Sequence, residues 1–160
     1  MRARRAALMA TLLTLLGSTP AFADLTGFVG ANMTPENRAV KGFALGAGVL
    51  LIGLEVEYAN TPDDPKVSAP ALTTGMGNVL VQPPFAILGV QPYVTAGAGL
   101  YRETLGTYQN TGFAFNAGGG VKISLVGPLR LRVDYRVFKL GRGALHSPAH
   151  RVYAGLNLRF

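Results

Sequence analysis

The chain has 160 residues, 21 glycines, no cysteine, no tryptophan and a formal net charge of +7. Without cysteine, disulfides, thiolate metal sites and a lipoprotein anchor are excluded. Beyond the first five residues the basic side chains are spread among other residue types instead of forming runs, which is a poor footprint for nucleic acid.

Met1 to Arg5 is basic, Ala6 to Gly17 is apolar apart from two threonines, and the stretch from Ser18 closes on Ala21-Phe22-Ala23. These are the three regions of a secretory signal peptide, with cleavage expected between Ala23 and Asp24. The apolar run is too short for a membrane helix, which needs roughly 20 residues. Residues 1–23 are therefore set apart from a single domain over 24–160. Losing Arg2, Arg4 and Arg5 leaves twelve basic against eight acidic residues, a charge of +4.

The domain reads as strands throughout. Leu25–Asn32 is the first, followed by a polar loop around Met33–Asn37. From Gly42 to about Leu51, apolar Phe43, Leu45, Ala47, Val49 and Leu51 alternate with small residues. A tight turn is expected near Ile52-Gly53. The third strand sets Leu54, Val56 and Tyr58 opposite Glu55 and Glu57. The run from Gly42 to Leu54 is too short and too rich in glycine for a membrane helix.

A Pro/Asp-rich loop, 60–71, precedes a fourth strand over Leu72–Val81, whose phase is ambiguous. After the turn region 82–90, the fifth strand runs from Gln91 to about Leu105. A loop is expected at 106–111. The sixth strand places Phe113, Phe115, Ala117, Val121 and Ile123 on one face, and Asn116, Gly118, Gly120, Lys122 and Ser124 on the other. Past a turn at 126–128, Leu129–Leu140 alternates Leu129, Leu131, Val133, Tyr135 and Val137 with Arg130, Arg132, Asp134 and Arg136. The loop Gly141–Ala149 leads to the last strand, Arg151–Phe160, in which Val152, Ala154, Leu156, Leu158 and Phe160 form one face.

Eight strands of about ten residues, with turns and longer loops in alternation, predict an all-β, eight-stranded antiparallel up-and-down barrel. Alternation alone does not say which face is inside. Crowding of glycine (Gly46, Gly48, Gly97, Gly99, Gly118, Gly120) in the polar phase favours a polar lumen, because such a barrel has little interior room. Phe43, Tyr58, Phe113 and Phe115 lie beside the longer loops, as a membrane-interface girdle would, and Phe160 marks the other rim. A soluble lipocalin-like barrel binding a small apolar ligand is the inverted alternative.

Several stretches carry a family resemblance: Met76–Leu80, Pro92–Gly99, Asn116–Lys122 and Arg130–Tyr135. The domain resembles the outer-membrane β-barrels of opacity-like surface antigens and the small OmpA/OmpX type. The alternating C-terminus ending in Phe160 resembles the assembly signal of such barrels, which assigns that role to Val152, Ala154, Leu156, Leu158 and Phe160. The resemblance implies a location in the bacterial outer membrane, contact with its lipids and with the barrel-assembly machinery, and a monomer. It also implies a structural or surface-interaction role through the loops, with host or other surface ligands as candidates. No peptidoglycan-binding domain is expected after the barrel.

Enzymatic motifs are weak. His146-Ser147-Pro148-Ala149-His150 gathers two imidazoles and a hydroxyl, inviting comparison with outer-membrane lipid A deacylases. Their pattern is not reproduced, and no acid within Gly141–His150 orients either imidazole. Pro148 blocks a helical pair of metal ligands. The glycine runs lack phosphate-cradle motifs, and Asp63 and Asp64 read as a solvated loop tip. No catalytic residue, cofactor or metal is expected, and the protein is read as a non-enzyme. The charges say more. Glu55 and Glu57 share the lumen phase with Lys122, Arg130, Arg132, Asp134, Arg136, Arg151 and Arg159. Strands three and seven are diametrically opposite in an eight-stranded barrel, so these groups are expected to meet across the axis. They are read as a charged plug in preference to a selective pore.

Overall fold

The structure, a computed structural model, describes residues 21–160. Eight strands follow in order: β1 (Ala21–Asn32), β2 (Arg38–Val49), β3 (Ile52–Thr61), β4 (Ala71–Val81), β5 (Val90–Leu105), β6 (Tyr108–Val126), β7 (Leu129–Leu140) and β8 (Ala149–Arg159). Each pairs antiparallel with its neighbour, and β1 pairs with β8, so the sheet closes into a barrel. At the seam, Ala23 and Phe160 exchange both backbone hydrogen bonds at 2.9 Å. The leader expected over residues 1–23 lies outside the described residues except for Ala21–Ala23, which open β1 opposite Ala47–Val49.

Alternation sets the faces. On β3, Gly53, Glu55, Glu57, Ala59 and Thr61 are buried while Ile52, Leu54, Val56 and Tyr58 are exposed. On β7, Arg130, Arg132, Asp134, Arg136, Phe138 and Leu140 are buried, and Val133 and Tyr135 face out. The polar phase is therefore the interior and the apolar phase the exterior, the reverse of a water-soluble barrel. The unresolved phase of β4 settles with Leu72, Thr74, Met76, Asn78 and Leu80 inside.

Three local expectations change. The β2–β3 turn is Leu50-Leu51, with Leu50 at φ 55°, and not Ile52-Gly53. Gly53 serves the lumen, facing Gly48 across the pair beside the Phe22 ring. Residues 108–111 are not loop: β5 and β6 pair to Leu105–Tyr108, joined by Gly106-Thr107 with Gly106 at φ 58°. That hairpin rises past its neighbours, and the Tyr108 hydroxyl donates to the Gly143 carbonyl on the β7–β8 loop. The connection over 82–89, at the end that carries the Leu50-Leu51 turn, is longer than a tight turn.

Lumen glycines sit where bulky plug residues need room. An added Cβ at Gly118 would fall 2.1 Å from the Tyr135 carbonyl and 2.8 Å from the Arg136 side chain. At Gly120 it would meet the Tyr93 hydroxyl, and at Gly42 the Phe28 ring. At Gly99 it would lie 2.0 Å from the Gly75 carbonyl, whereas the outward-facing Gly75 has nothing within 4 Å. Gly99→Ala is therefore expected to lower folded stability by about 1–3 kcal/mol through overpacking. Gly75→Ala should stay within about 0.5 kcal/mol of the parent. Urea titrations in detergent micelles read both, and equal midpoints for the two variants would refute this account of the glycines.

Candidate functional site

The lumen has three storeys. The middle one is built from β3 on one side and β7 and β8 on the other. Because β3 and β7 are four strands apart in either direction around the ring, their long side chains converge on the axis. Arg132 meets both oxygens of Glu55, one in a close contact with Nη1 and the other at 3.3 Å from Nη2. It also donates to Asp134 at 3.1 Å and to the Tyr93 hydroxyl at 2.7 Å. Arg136 donates to Glu55 at 2.9 Å, to Asp134 at 3.0 and 3.1 Å, and to the Tyr153 hydroxyl at 3.1 Å. Its Nη1 lies 2.9 Å from Glu57, an ion pair outside hydrogen-bonding alignment. Arg151 pairs with Glu57 at 3.1 Å and bonds Thr74 at 3.2 Å.

Asp134 gathers four donors: two guanidiniums and the hydroxyls of Tyr93 and Tyr153, the latter at 3.0 Å. Arg132 and Arg136 are fully buried, each 0% exposed. Bidentate and charge-assisted geometry of this kind is what lets guanidinium leave water.

Toward the turn end, Lys122 pairs with Asp24 at 2.9 Å and Arg130 approaches the same carboxylate at 3.4 Å. Arg130 also bonds Asn157 at 2.8 Å and Gln91 at 2.9 Å. It does not pair with Glu55 or Glu57, because its place low on β7 faces β1. Arg159 makes no ion pair among the described residues. It lies half-buried at the rim, its guanidinium 5.1 Å from the Phe22 ring centre. A crevice between Phe22, Asp24, Glu55, Leu80, Gln82 and Lys122 has room for about one water.

Toward the loop end, the lumen carries an apolar cluster, which the reading of a charged plug did not anticipate, with Glu103 buried near it and accepting from the Leu145 backbone N–H at 2.9 Å. Leu72, Met76, Tyr101, Ala114, Phe138, Leu140 and Ala149 form a buried cluster above the ion pairs. Arg151 lies beneath it, 4.2 Å from the Phe138 ring centre. Beside it, Phe28 stacks on Tyr153 at 4.1 Å. Above the cluster, Arg38 clamps the first two loops by donating to the Thr34, Pro62 and Pro70 carbonyls.

Sequence reasoning missed Asp24, Tyr93 and Tyr153. Each stands in the inward phase of its strand, so the alternation that placed the glutamates could have placed them too. The outward residues Phe43 and Tyr58 pair across β2 and β3 with ring centres 5.7 Å apart. Phe113 and Phe115 are exposed on the loop-side half of β6, and Val152, Ala154, Leu156, Leu158 and Phe160 face outward on the last strand. In the β7–β8 loop, Ser147 Oγ bonds the Leu140 backbone, and His150 Nδ1 lies 2.7 Å from the exposed Tyr135 hydroxyl. Neither makes the Ser–His contact that nucleophilic catalysis needs.

No family model and no curated protein matches the sequence. Solved structures do. The N-terminal β-barrel domain of Pseudomonas aeruginosa OprF aligns with a TM-score of 0.65 at 16% identity, covering 87% of this chain and 97% of that one. Neisserial surface protein A aligns at 0.56 and 17% identity, over 87% and 94%. The outer membrane enzyme PagL aligns at 0.52 and 14%, over 86% and 98%. At these identities the likeness is one of fold: a closed eight-stranded antiparallel barrel.

The pairing pattern yields a selective double-mutant test. Glu55→Gln strips the carboxylate from two buried guanidiniums and is expected to cost about 3–5 kcal/mol. Adding Arg132→Gln should recover part of that, with a coupling of about 0.5–3 kcal/mol. Adding Arg130→Gln should recover nothing, since its partners are Asp24, Gln91 and Asn157. Unfolding midpoints in detergent measure all three, and rescue by Arg130→Gln would contradict this wiring.

Proposed function

We propose that the chain is an integral outer-membrane β-barrel with a non-conducting lumen. On this reading it is not an enzyme, and it acts as a structural or surface-interacting protein through its loop end. The observation that carries the proposal is the inverted burial. Leu54, Val56, Val94, Leu100, Phe113 and Leu156 are each more than half exposed, while Glu57, Arg132, Arg136 and Asp134 are sealed inside. In water this arrangement would give up the hydrophobic contribution of the whole outer face, about 25 cal/mol per Å2. In a bilayer the same face meets acyl chains, and the closed sheet satisfies its own backbone.

The filled lumen argues against the soluble alternative, which needs an apolar cavity for its ligand. It argues equally against a pore. The outer membrane setting named for PagL, and the surface named for the Neisserial protein, agree with the proposed location. PagL is called an enzyme, but the present Ser147 and His150 are engaged with Leu140 and Tyr135. Delivery by the barrel-assembly machinery, with the outward residues Val152 to Phe160 as its signal, and a monomeric state complete the reading.

Fractionation tests the location: a heat-modifiable band in outer membranes is expected, and release with the periplasmic contents would overturn it. In planar bilayers the purified protein should show no steady conductance, and a reproducible, ion-selective current would make the lumen a pore. Val133→Arg, at mid-strand on the outer face, should cost about 2–4 kcal/mol in lipid, against about 0–1 for Ala39→Arg near the loop-side interface. Refolding yields into vesicles report the difference, and equal penalties at both sites would argue against a bilayer around the barrel.

A further inference from the structure

The strands carry five acidic residues, Asp24, Glu55, Glu57, Glu103 and Asp134, and all five are buried inside the barrel. The charged strand residues that are exposed are Lys41, Arg102 and Lys139. All three are basic and all three lie near the loop end. Lys41 is three residues into β2, Arg102 three residues before the end of β5, and Lys139 one residue before the end of β7.

Each sits at the upper edge of an apolar surface. Lys41 is next to Asn60 across the β2–β3 pair, directly above the tilted Phe43–Tyr58 pair. Lys139 is paired with exposed Phe115, and Arg102 stands above Leu100, itself paired with Phe113. At the turn end the pattern is absent. The connections over 49–53, 82–90 and 125–129 contain no charged residue, and Leu50, Leu51, Phe85, Leu88 and Val126 are exposed there.

A cation over an aromatic or aliphatic shelf on a membrane-facing wall matches one chemistry: a phosphate headgroup above acyl chains. Long basic side chains at this height can extend along the wall and keep their charge at the interface. No outward acid on the strands opposes a headgroup. Placement at one end only distinguishes the two leaflets.

We propose that Lys41, Arg102 and Lys139 form a collar that binds lipids of the loop-side leaflet whose phosphate headgroups carry net negative charge. Phe43, Tyr58, Phe113 and Phe115 support the chains below. The proposal rests on the membrane reading, and insertion is scored separately so that the two can fail independently.

The test reconstitutes wild-type protein and the K41Q/R102Q/K139Q variant into phosphatidylcholine vesicles doped with lipid A or with phosphatidylglycerol. Heat-modifiability scores insertion, and native mass spectrometry of the extracted protein scores retained lipid. These side chains are exposed, so the variant should fold and insert as the parent does. Retention of the anionic lipid over phosphatidylcholine should fall about five-fold per cation removed, on the order of 100-fold for all three. A double control in the loops, K66Q/R142Q, should retain lipid as wild type does. Excess inorganic phosphate should compete poorly if the acyl shelf contributes. Insertion without lipid preference would overturn the collar alone. Equal losses in the loop control would reduce it to general charge attraction. Full competition by inorganic phosphate would make the site an anion site and not a lipid site. Failure of the wild type to insert would remove the membrane reading with it.

Discussion

Everything in this molecule depends on neutralising guanidinium inside a space too narrow for bulk water. Eight strands enclose little more than their own side chains, and three of those on β7 are arginines. A single buried charge without a partner costs several kcal/mol. The chain answers with carboxylates from the opposite wall, Glu55 and Glu57 on β3, and with Asp134 on β7 itself. The two tyrosine hydroxyls from β5 and β8 then meet the charge left over, Tyr93 and Tyr153 both donating to Asp134. The centre of the barrel is therefore held by contacts between strands far apart in sequence.

The glycines follow from the same constraint. Gly118 and Gly120 lie across the β6–β7 ladder from Arg136 and Asp134, and Gly46 lies across β1–β2 from Asp24. At these positions a methyl group would collide with a plug side chain or with the neighbouring backbone. The apolar cluster of Leu72, Met76, Tyr101, Phe138 and Leu140 adds a lid that keeps water from the ion pairs. A low local dielectric strengthens those pairs, and it also raises the cost of removing either partner.

Strand number, order and the facing of most side chains were legible in the sequence because alternation is a local signal. Which face was interior was legible through the glycines, whose placement reports the bulk of unseen neighbours, and through the aromatics gathered beside the longer loops in the other phase. Turn positions were less legible. Gly53 looked like turn punctuation, but its missing side chain serves Phe22 and Leu80 inside, and Leu50 adopts the positive φ instead. The excess length of β6 was hidden because Tyr108 to Thr111 are polar, and strand pairing above the barrel leaves no apolar alternation. Which of the β7 arginines meets which carboxylate was not legible, for a geometric reason. Residues on one strand two positions apart reach different heights in a tilted barrel, so Arg130 meets Asp24 while Arg132 meets Glu55. Pairing across an axis depends on tilt and stagger, which no single strand encodes.

Charge is partitioned as sharply as polarity. Five buried acids face six buried bases (Arg38, Lys122, Arg130, Arg132, Arg136 and Arg151), so the interior nearly cancels. The loops add Glu36, Asp63 and Asp64 against Lys66 and Arg142, again close to balance. The net positive charge of residues 24–160 is therefore matched by Lys41, Arg102 and Lys139 on the outer wall and Arg159 at the turn-end rim. A chain whose interior consumes its own charges draws its net long-range field mainly from those outer positions. With the lumen filled, and on the proposed membrane reading, the loops and the upper edge of the wall beneath them are the surfaces that carry this charge to a partner.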